Sequence, residues 1–192
     1  MTILRIIAGT ARGHKLKTLK GSTARPTSGR VKESVFNIIA EYLADACVLD
    51  LFAGTGNLGI EALSRGARQA VFIEKNERAA VIIRENLVNT KLIERGTVTR
   101  GDVLKELYNL SKDGRRFDII FIDPPYNKGL LDKSLNIIEK EEILKEGGII
   151  VAERSSAENA PLKAGDLNLV SDRIYGNTAV AFYSRNGKIQ KR

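Results

Sequence analysis

The 192-residue chain has one cysteine, one histidine, one methionine, no tryptophan and four prolines. A single cysteine, Cys47, excludes an internal disulfide framework and suits a reducing compartment. With His14 as the lone histidine, the common zinc sites, which need several Cys or His ligands, are excluded, and no metal is expected. The same shortage leaves His14 as the sole base for a Ser–His or Cys–His pair. Long apolar runs are missing too. Met1–Gly9 carries Arg5 inside a very short apolar stretch, which does not read as a signal peptide, and no run is long enough to span a bilayer. What remains, at 43% hydrophobic and 28% charged residues, is the composition of a soluble protein able to bury its own core. The expectation is one cytoplasmic, monomeric domain over 1–192, with a basic extension over 1–43 and a core over 44–192.

Acidic residues are absent from both ends. Residues 1–32 hold eight Lys or Arg and no acid, and residues 173–192 hold five and none. The net charge of +8 therefore belongs to the ends, while residues 33–172 sum to −5. A polyphosphate partner favours such an arrangement, because each cation near a phosphate gains Coulomb energy and releases counterions. Residues 1–32 read as ordered structure rather than as a solvated tail, which points to nucleic acid.

Leu4–Ala8 and Lys15–Leu19 are short β-like runs around Gly9 and Gly13, a hairpin pattern. Val31, Val35, Phe36, Ile38, Ile39 and Leu43 then recur at helical spacing. From Cys47 onward short apolar runs alternate with helical stretches. The runs are 47–52, 70–73, 96–99, 118–122 and 148–152, with helices near 57–65, 76–90, 102–110 and 130–145. Continuous apolar strands between helices indicate a parallel sheet covered on both faces. Runs 167–174 and 178–183 are joined by only Tyr175-Gly176-Asn177, so they must be antiparallel. The fold class is α/β: a Rossmann-like, doubly wound, mostly parallel seven-stranded sheet. It carries an antiparallel C-terminal edge hairpin and a small N-terminal hairpin-and-helix extension.

Asp50-Leu51-Phe52-Ala53-Gly54-Thr55-Gly56-Asn57-Leu58-Gly59 passes from a strand through a tight turn into a helix. Gly54-x-Gly56-x-x-Gly59 matches the dinucleotide fingerprint, and Glu74, at the end of the next strand, is placed to accept from ribose hydroxyls. NAD and S-adenosylmethionine both satisfy that much. Asp50 tilts the choice, since a carboxylate just before the turn suits a methionine ammonium and repels a pyrophosphate. Asp102, ending a third strand, adds an acceptor for an adenine amino group.

The fourth strand runs into Asp123-Pro124-Pro125-Tyr126. Two prolines stiffen the turn and remove two backbone donors, which leaves carbonyl acceptors. An exocyclic amino group on a base is a weak nucleophile, because its lone pair is delocalised into the ring. Acceptors at the Asp123 carboxylate and Pro124 carbonyl would take its two N–H bonds and aim the lone pair at a methyl carbon. Tyr126 offers a face on which an extruded base can stack. The methylated ammonium is acidic and needs no strong general base.

Asp50–Gly59, Glu74, Asp102 and Asp123–Tyr126 together resemble the class I S-adenosylmethionine-dependent methyltransferases that modify amino groups. Arg5-Ile6-Ile7-Ala8-Gly9, Arg12-Gly13-x-Lys15-Leu16, Arg25-Pro26-Thr27 and Arg30–Asn37 resemble the bacterial RsmD-type 16S ribosomal RNA guanine-N2 methyltransferases over nearly the whole chain. The resemblance implies S-adenosylmethionine as donor and a guanine of 16S rRNA, free or in the small ribosomal subunit, as acceptor. By position it assigns catalysis to Asp123, Pro124, Pro125 and Tyr126. It assigns the cofactor to Asp50, Gly54, Gly56, Glu74 and Asp102, and Phe52, Ala53, Lys75 and Val103 flank these in the same turns. Arg25, Arg30 and Lys32 are inferred RNA contacts.

Other classes remain open on sequence: a DNA adenine-N6 methyltransferase, a nicotinamide-dependent oxidoreductase, and a non-catalytic assembly factor that binds rRNA. His14 reads as a surface residue, Cys47 as a small core residue, and Tyr175 and Tyr183 as packing on the edge hairpin.

Overall fold

A computed structural model describes residues 4–19, 29–125 and 129–187. Helix α1 (Gly29–Ile38) is followed by β1 (Cys47–Leu51), α2 (Asn57–Ser64), β2 (Gln69–Glu74), α3 (Glu77–Asn89) and β3 (Gly96–Arg100). Then come α4 (Val103–Lys112), β4 (Phe117–Ile122), α5 (Leu130–Lys140), β5 (Leu144–Ser155), β6 (Lys163–Ala164), β7 (Leu167–Tyr175) and β8 (Thr178–Ser184). The strands form one sheet in the order β3-β2-β1-β4-β5-β8-β7-β6. The β1–β2, β2–β3, β1–β4 and β4–β5 pairs are parallel, and the β5–β8, β7–β8 and β6–β7 pairs are antiparallel.

Strands β1, β2 and β4 are mostly apolar on both faces, since both sheet faces are covered. Val48, Phe72, Ile119, Phe121 and Val151 pack under α1, α2 and α3, while Leu49, Leu51, Ile120 and Ile122 pack under α4 and α5. Strand order reverses between β1 and β4, which opens a ligand crevice at their carboxyl ends.

The architecture matches the expected one, with two local differences. The sheet has an eighth strand, the two-residue β6, and β8 lies inside the sheet with β6 as its edge. Helix α5 stops at Lys140, not 145, and β5 begins at Leu144, where Phe117 pairs Leu144 but Ile119 pairs Ile149. The intervening residues bulge out at Gly147, which adopts φ 71°. Finally, the N-terminal runs pair as a short hairpin outside the main sheet, around an antiparallel Arg5–Lys15 bridge, with Ile6 N donating to His14 O at 3.0 Å, Gly13 N to Ile6 O at 2.9 Å and Leu16 N to Leu4 O at 2.9 Å. Other amides of the segment dock it on the core: Ile7 and Ala8 donate to the Glu61 carboxylate, Ala11 to Ser64 Oγ, and Lys17 to Asn86 Oδ1. The segment is thus bound to the side chains of α2 and α3.

Candidate active site

The turn after β1 is built from backbone conformations that suit glycine. Phe52 has φ 58°, Gly54 56° and Gly56 80°, and Gly56 caps α2 in the left-handed region. Ala53, nearly buried, donates to Ile73 O at 3.0 Å and so stays in step with β2. Two acids lock this turn. Glu74 accepts from Gly54 N at 2.8 Å and Asn76 N at 2.7 Å, and Asp50 accepts from Gly59 N at 2.8 Å. A Cβ on Gly59 would lie 2.3 Å from the Phe72 ring, so only glycine lets the first turn of α2 approach Asp50 this closely.

Asp50 is 2% exposed. Burial, with the charge of Glu74 adding and the Gly59 N–H opposing, pushes its carboxyl up to about 8. Among the described residues no lysine or arginine forms an ion pair with it. A buried acid in this state is poised for a cationic ligand.

Asp102 lies further along the rim as the N-cap of α4, accepting from Leu104 N, and its other oxygen is 3.2 Å from the exposed Lys75 ammonium. That Lys75 bond holds the Asp102 carboxyl below the ordinary range. Val103, the first residue of α4, is buried in the core.

Asp123 and Pro124 continue β4 past its last pair, with Pro124 buried and Pro125 exposed. Burial first, then the charges of Glu153 and Asp50, raise the Asp123 carboxyl well above the usual carboxylate range. Asp50, Asp123 and Glu153 thus lie toward the carboxyl side of three adjacent strands, β1, β4 and β5, close enough for Asp123 to feel both of the others. Among the described residues no three His, Cys, Asp or Glu side chains converge tightly enough to hold a metal ion. A small cavity of about 40 Å³ adjoins the turn, lined in part by Pro124, Pro125, Leu131 and Arg154. The buried Arg154 guanidinium is fixed there by Asp172 at 2.5 Å and by the Glu158 carbonyl.

Two of the inferred residues, Tyr126 and Arg25, lie outside the described residues. Arg30 is exposed on the first turn of α1. Lys32 requires correction as an RNA contact. It is 1% exposed, and its ammonium reaches Arg5 O, Asn57 Oδ1 and the Glu61 carboxylate, so it cannot face a phosphate. Cys47 is buried as expected, but its sulfur also accepts from Arg68 Nη2 at 2.9 Å and Gln69 Nε2 at 3.2 Å. His14 is exposed, with its Nδ1 2.9 Å from Ala11 O. Tyr183 is fully buried, and the Tyr175 hydroxyl meets Ser34 Oγ at 2.6 Å.

Sequence reading passed over Glu153 and Glu61. The signal for Glu153 was present: a charged residue closes an apolar run at the same point where Asp123 closes β4.

A sheet of this order, with a glycine turn and acids along the carboxyl rim, is the α/β methyltransferase fold. The Escherichia coli protein yhhF superposes on it with a TM-score of 0.85 at 33% identity, covering 98% of this chain and 100% of that one. SMU.776, solved in complex with SAH, shares the fold at a TM-score of 0.69 and 18% identity, covering 89% of this chain and 53% of that one.

Residues 4–184 match the family described as conserved hypothetical protein 95, and the chain belongs to that family, the RsmD-like methyltransferases. It is 39% identical to YlbH of Bacillus subtilis over 184 residues, 96% of this chain and 100% of that protein. It is 33% identical to ribosomal RNA small subunit methyltransferase D of Escherichia coli strain K12 over 185 residues, 96% of this chain and 91% of that protein.

Proposed function

We propose that this protein transfers a methyl group from S-adenosylmethionine to the exocyclic N2 amino group of a guanine in 16S rRNA. The observation that carries the reading is the placement of Asp50 and Asp123 across the strand-order reversal: two interacting carboxyls, neither in an ion pair among the described residues. A ligand bearing an ammonium and a sulfonium fits that environment, whereas a diphosphate would be repelled. Support for the acceptor comes from the 33% identical Escherichia coli relative, whose name specifies small-subunit ribosomal RNA.

When bound, S-adenosylmethionine supplies an electrophilic methyl group on sulfur. Asp50 would hold the methionine ammonium, Glu74 would add ribose contacts to its hold on the Gly54 turn, and Asp102 would face the adenine. The positive charges of the donor would favour the ionised forms of both Asp50 and Asp123 by Coulomb attraction. The Asp123 carboxylate and Pro124 carbonyl then take the two N2–H bonds and aim the nitrogen lone pair at the methyl carbon. With methyl transfer to N2 the sulfur would keep the C–S electron pair, and the Asp123 carboxylate would pass the one excess N2 proton to solvent. The 1–43 extension, with Arg12, Lys15 and Arg30 exposed, would hold RNA phosphates beside this site, in the cytoplasm.

The test is incubation with small subunits lacking the modification and isotope-labelled donor, followed by mapping of the methylated nucleoside by mass spectrometry. N2-methylguanosine in 16S rRNA is expected. Asp123→Ala should bind donor within a few-fold of wild type and transfer nothing, and undiminished turnover would remove the role given to Asp123.

A further inference from the structure

We propose that Glu153 selects guanine, its carboxylate accepting the N1–H of the target base while Asp123 and Pro124 hold the N2 amino group. This inference rests on the methyl-transfer reading above and names the group that sets base specificity at that site.

Strands β4 and β5 run parallel with Ile122 opposite Ala152, so Asp123 and Glu153 are the next residues in step at the carboxyl rim. Phe121 and Val151, two positions earlier, belong to the same core face under α1, and side chains alternate along a strand. Asp123 and Glu153 therefore emerge on one face, from neighbouring strands about 4.8 Å apart. Their mutual charge effect agrees with that placement. Glu153 is 6% exposed, near the carboxyl end of β5, and the four residues before it are all buried and apolar. A carboxylate is costly in that setting, and its position beside the methyl acceptor gives it a chemical use.

Guanine presents N1–H and N2–H₂ side by side on one edge, a row of donors that two adjacent carboxylates and a carbonyl complement. Adenine presents an N6 amino group beside N1, whose lone pair would point at the Glu153 carboxylate. The same residue thus attracts one purine and repels the other. An ionised carboxylate offers about four lone-pair sites, so an N1–H is accommodated alongside the contacts Glu153 already makes.

The test uses small subunits reconstituted with guanosine, 6-thioguanosine or 2-aminopurine riboside at the methylated position. All three keep the N2 amino group. 6-Thioguanosine loses O6 but keeps N1–H, whereas 2-aminopurine loses both. Wild-type enzyme should methylate the first two within about fivefold in kcat/KM and the third about a hundredfold less well. In Glu153→Gln the amide can donate to the bare N1 of 2-aminopurine, so the preference should shrink by about tenfold or more while donor affinity holds within about twofold. Equal wild-type turnover of 6-thioguanosine and 2-aminopurine would overturn the assignment, as would an unchanged preference in a Glu153→Gln protein that binds donor. If that variant does not fold, the wild-type series alone decides. Failure to methylate guanosine subunits at all would instead remove the methyl-transfer reading, and this inference with it.

Discussion

Lys32 Nζ lies 2.9 Å from Glu61 Oε2, with the two side chains 1% and 0% exposed. Glu61 also accepts from Ile7 N, Ala8 N and Arg65 Nε, so one buried carboxylate joins the N-terminal segment, α1 and α2. Burial alone would raise its pKa, but the Lys32 charge and the Ile7 N–H outweigh burial and hold it below the ordinary range. Lys32→Met leaves that charge buried without its ammonium and should cost about 3–5 kcal/mol, read by urea denaturation. Because the folded Glu61 value is depressed, its contribution is present above the unfolded pKa of about 4.3 and disappears as pH falls through the folded value. Wild type should therefore lose more stability than Glu61→Gln on going from pH 5 to pH 3.

Asp50 behaves in the opposite sense. Its folded value of about 8 exceeds the ordinary 3.8, so its contribution is whole below pH 3.8 and fades as pH climbs through 8. Melting of the unliganded protein should show this decline in wild type and lack it in Asp50→Asn. Donor binding near pH 7 should also release protons, measured by calorimetry in buffers of different ionisation enthalpy. That release should shrink in Asp50→Asn, along with a loss of donor affinity of about tenfold or more.

Gly9 adopts φ +83°, and a Cβ there would sit 1.8 Å from the Ser64 carbonyl oxygen. Gly9→Ala cannot dock as the wild type does. We expect a loss of about 1–3 kcal/mol in denaturation and weaker RNA binding, with donor affinity nearly intact, since the site is built by β1, β2 and β4.

Salt titration of RNA binding separates phosphate contacts from buried cations. Charge reversal of Arg12, Lys15 or Arg30, all exposed, should flatten the slope of log affinity against log salt by about 0.7–0.9 per contact removed. If donor affinity fell in parallel, the extension would be a structural cover for the site and not an RNA clamp.

The doubly wound sheet was legible because Val48–Leu51, apart from Asp50, and Ile119–Ile122 are apolar on both faces and alternate with helical stretches, a pattern that suits a covered parallel sheet. Asp50, Glu74 and Asp123 were legible because each ends such a run. Other features depend on tertiary contacts that one-dimensional spacing does not carry. Counting charges placed Lys32 with the RNA-facing cations, whereas Glu61, on another helix, draws it inward. The N-terminal hairpin pattern was real, but its docking was not legible: Glu61 and Ser64, on another element, take the amides of Ile7, Ala8 and Ala11. The early start of β5 was hidden because Glu146, Gly147 and Gly148 look like a turn and are in fact a bulge.

The bond between Ser34 and Tyr175 joins residues 141 positions apart, and Val180 and Phe182 of β8 lie in the same core cluster as Val35 and Phe36 of α1. A helix made early during translation therefore waits for a strand made late before its apolar side is sealed. Emergence of β8, rather than of the glycine turn, should be the step at which a nascent chain becomes resistant to protease. Such long-range closure also predicts slow refolding for a protein of this size.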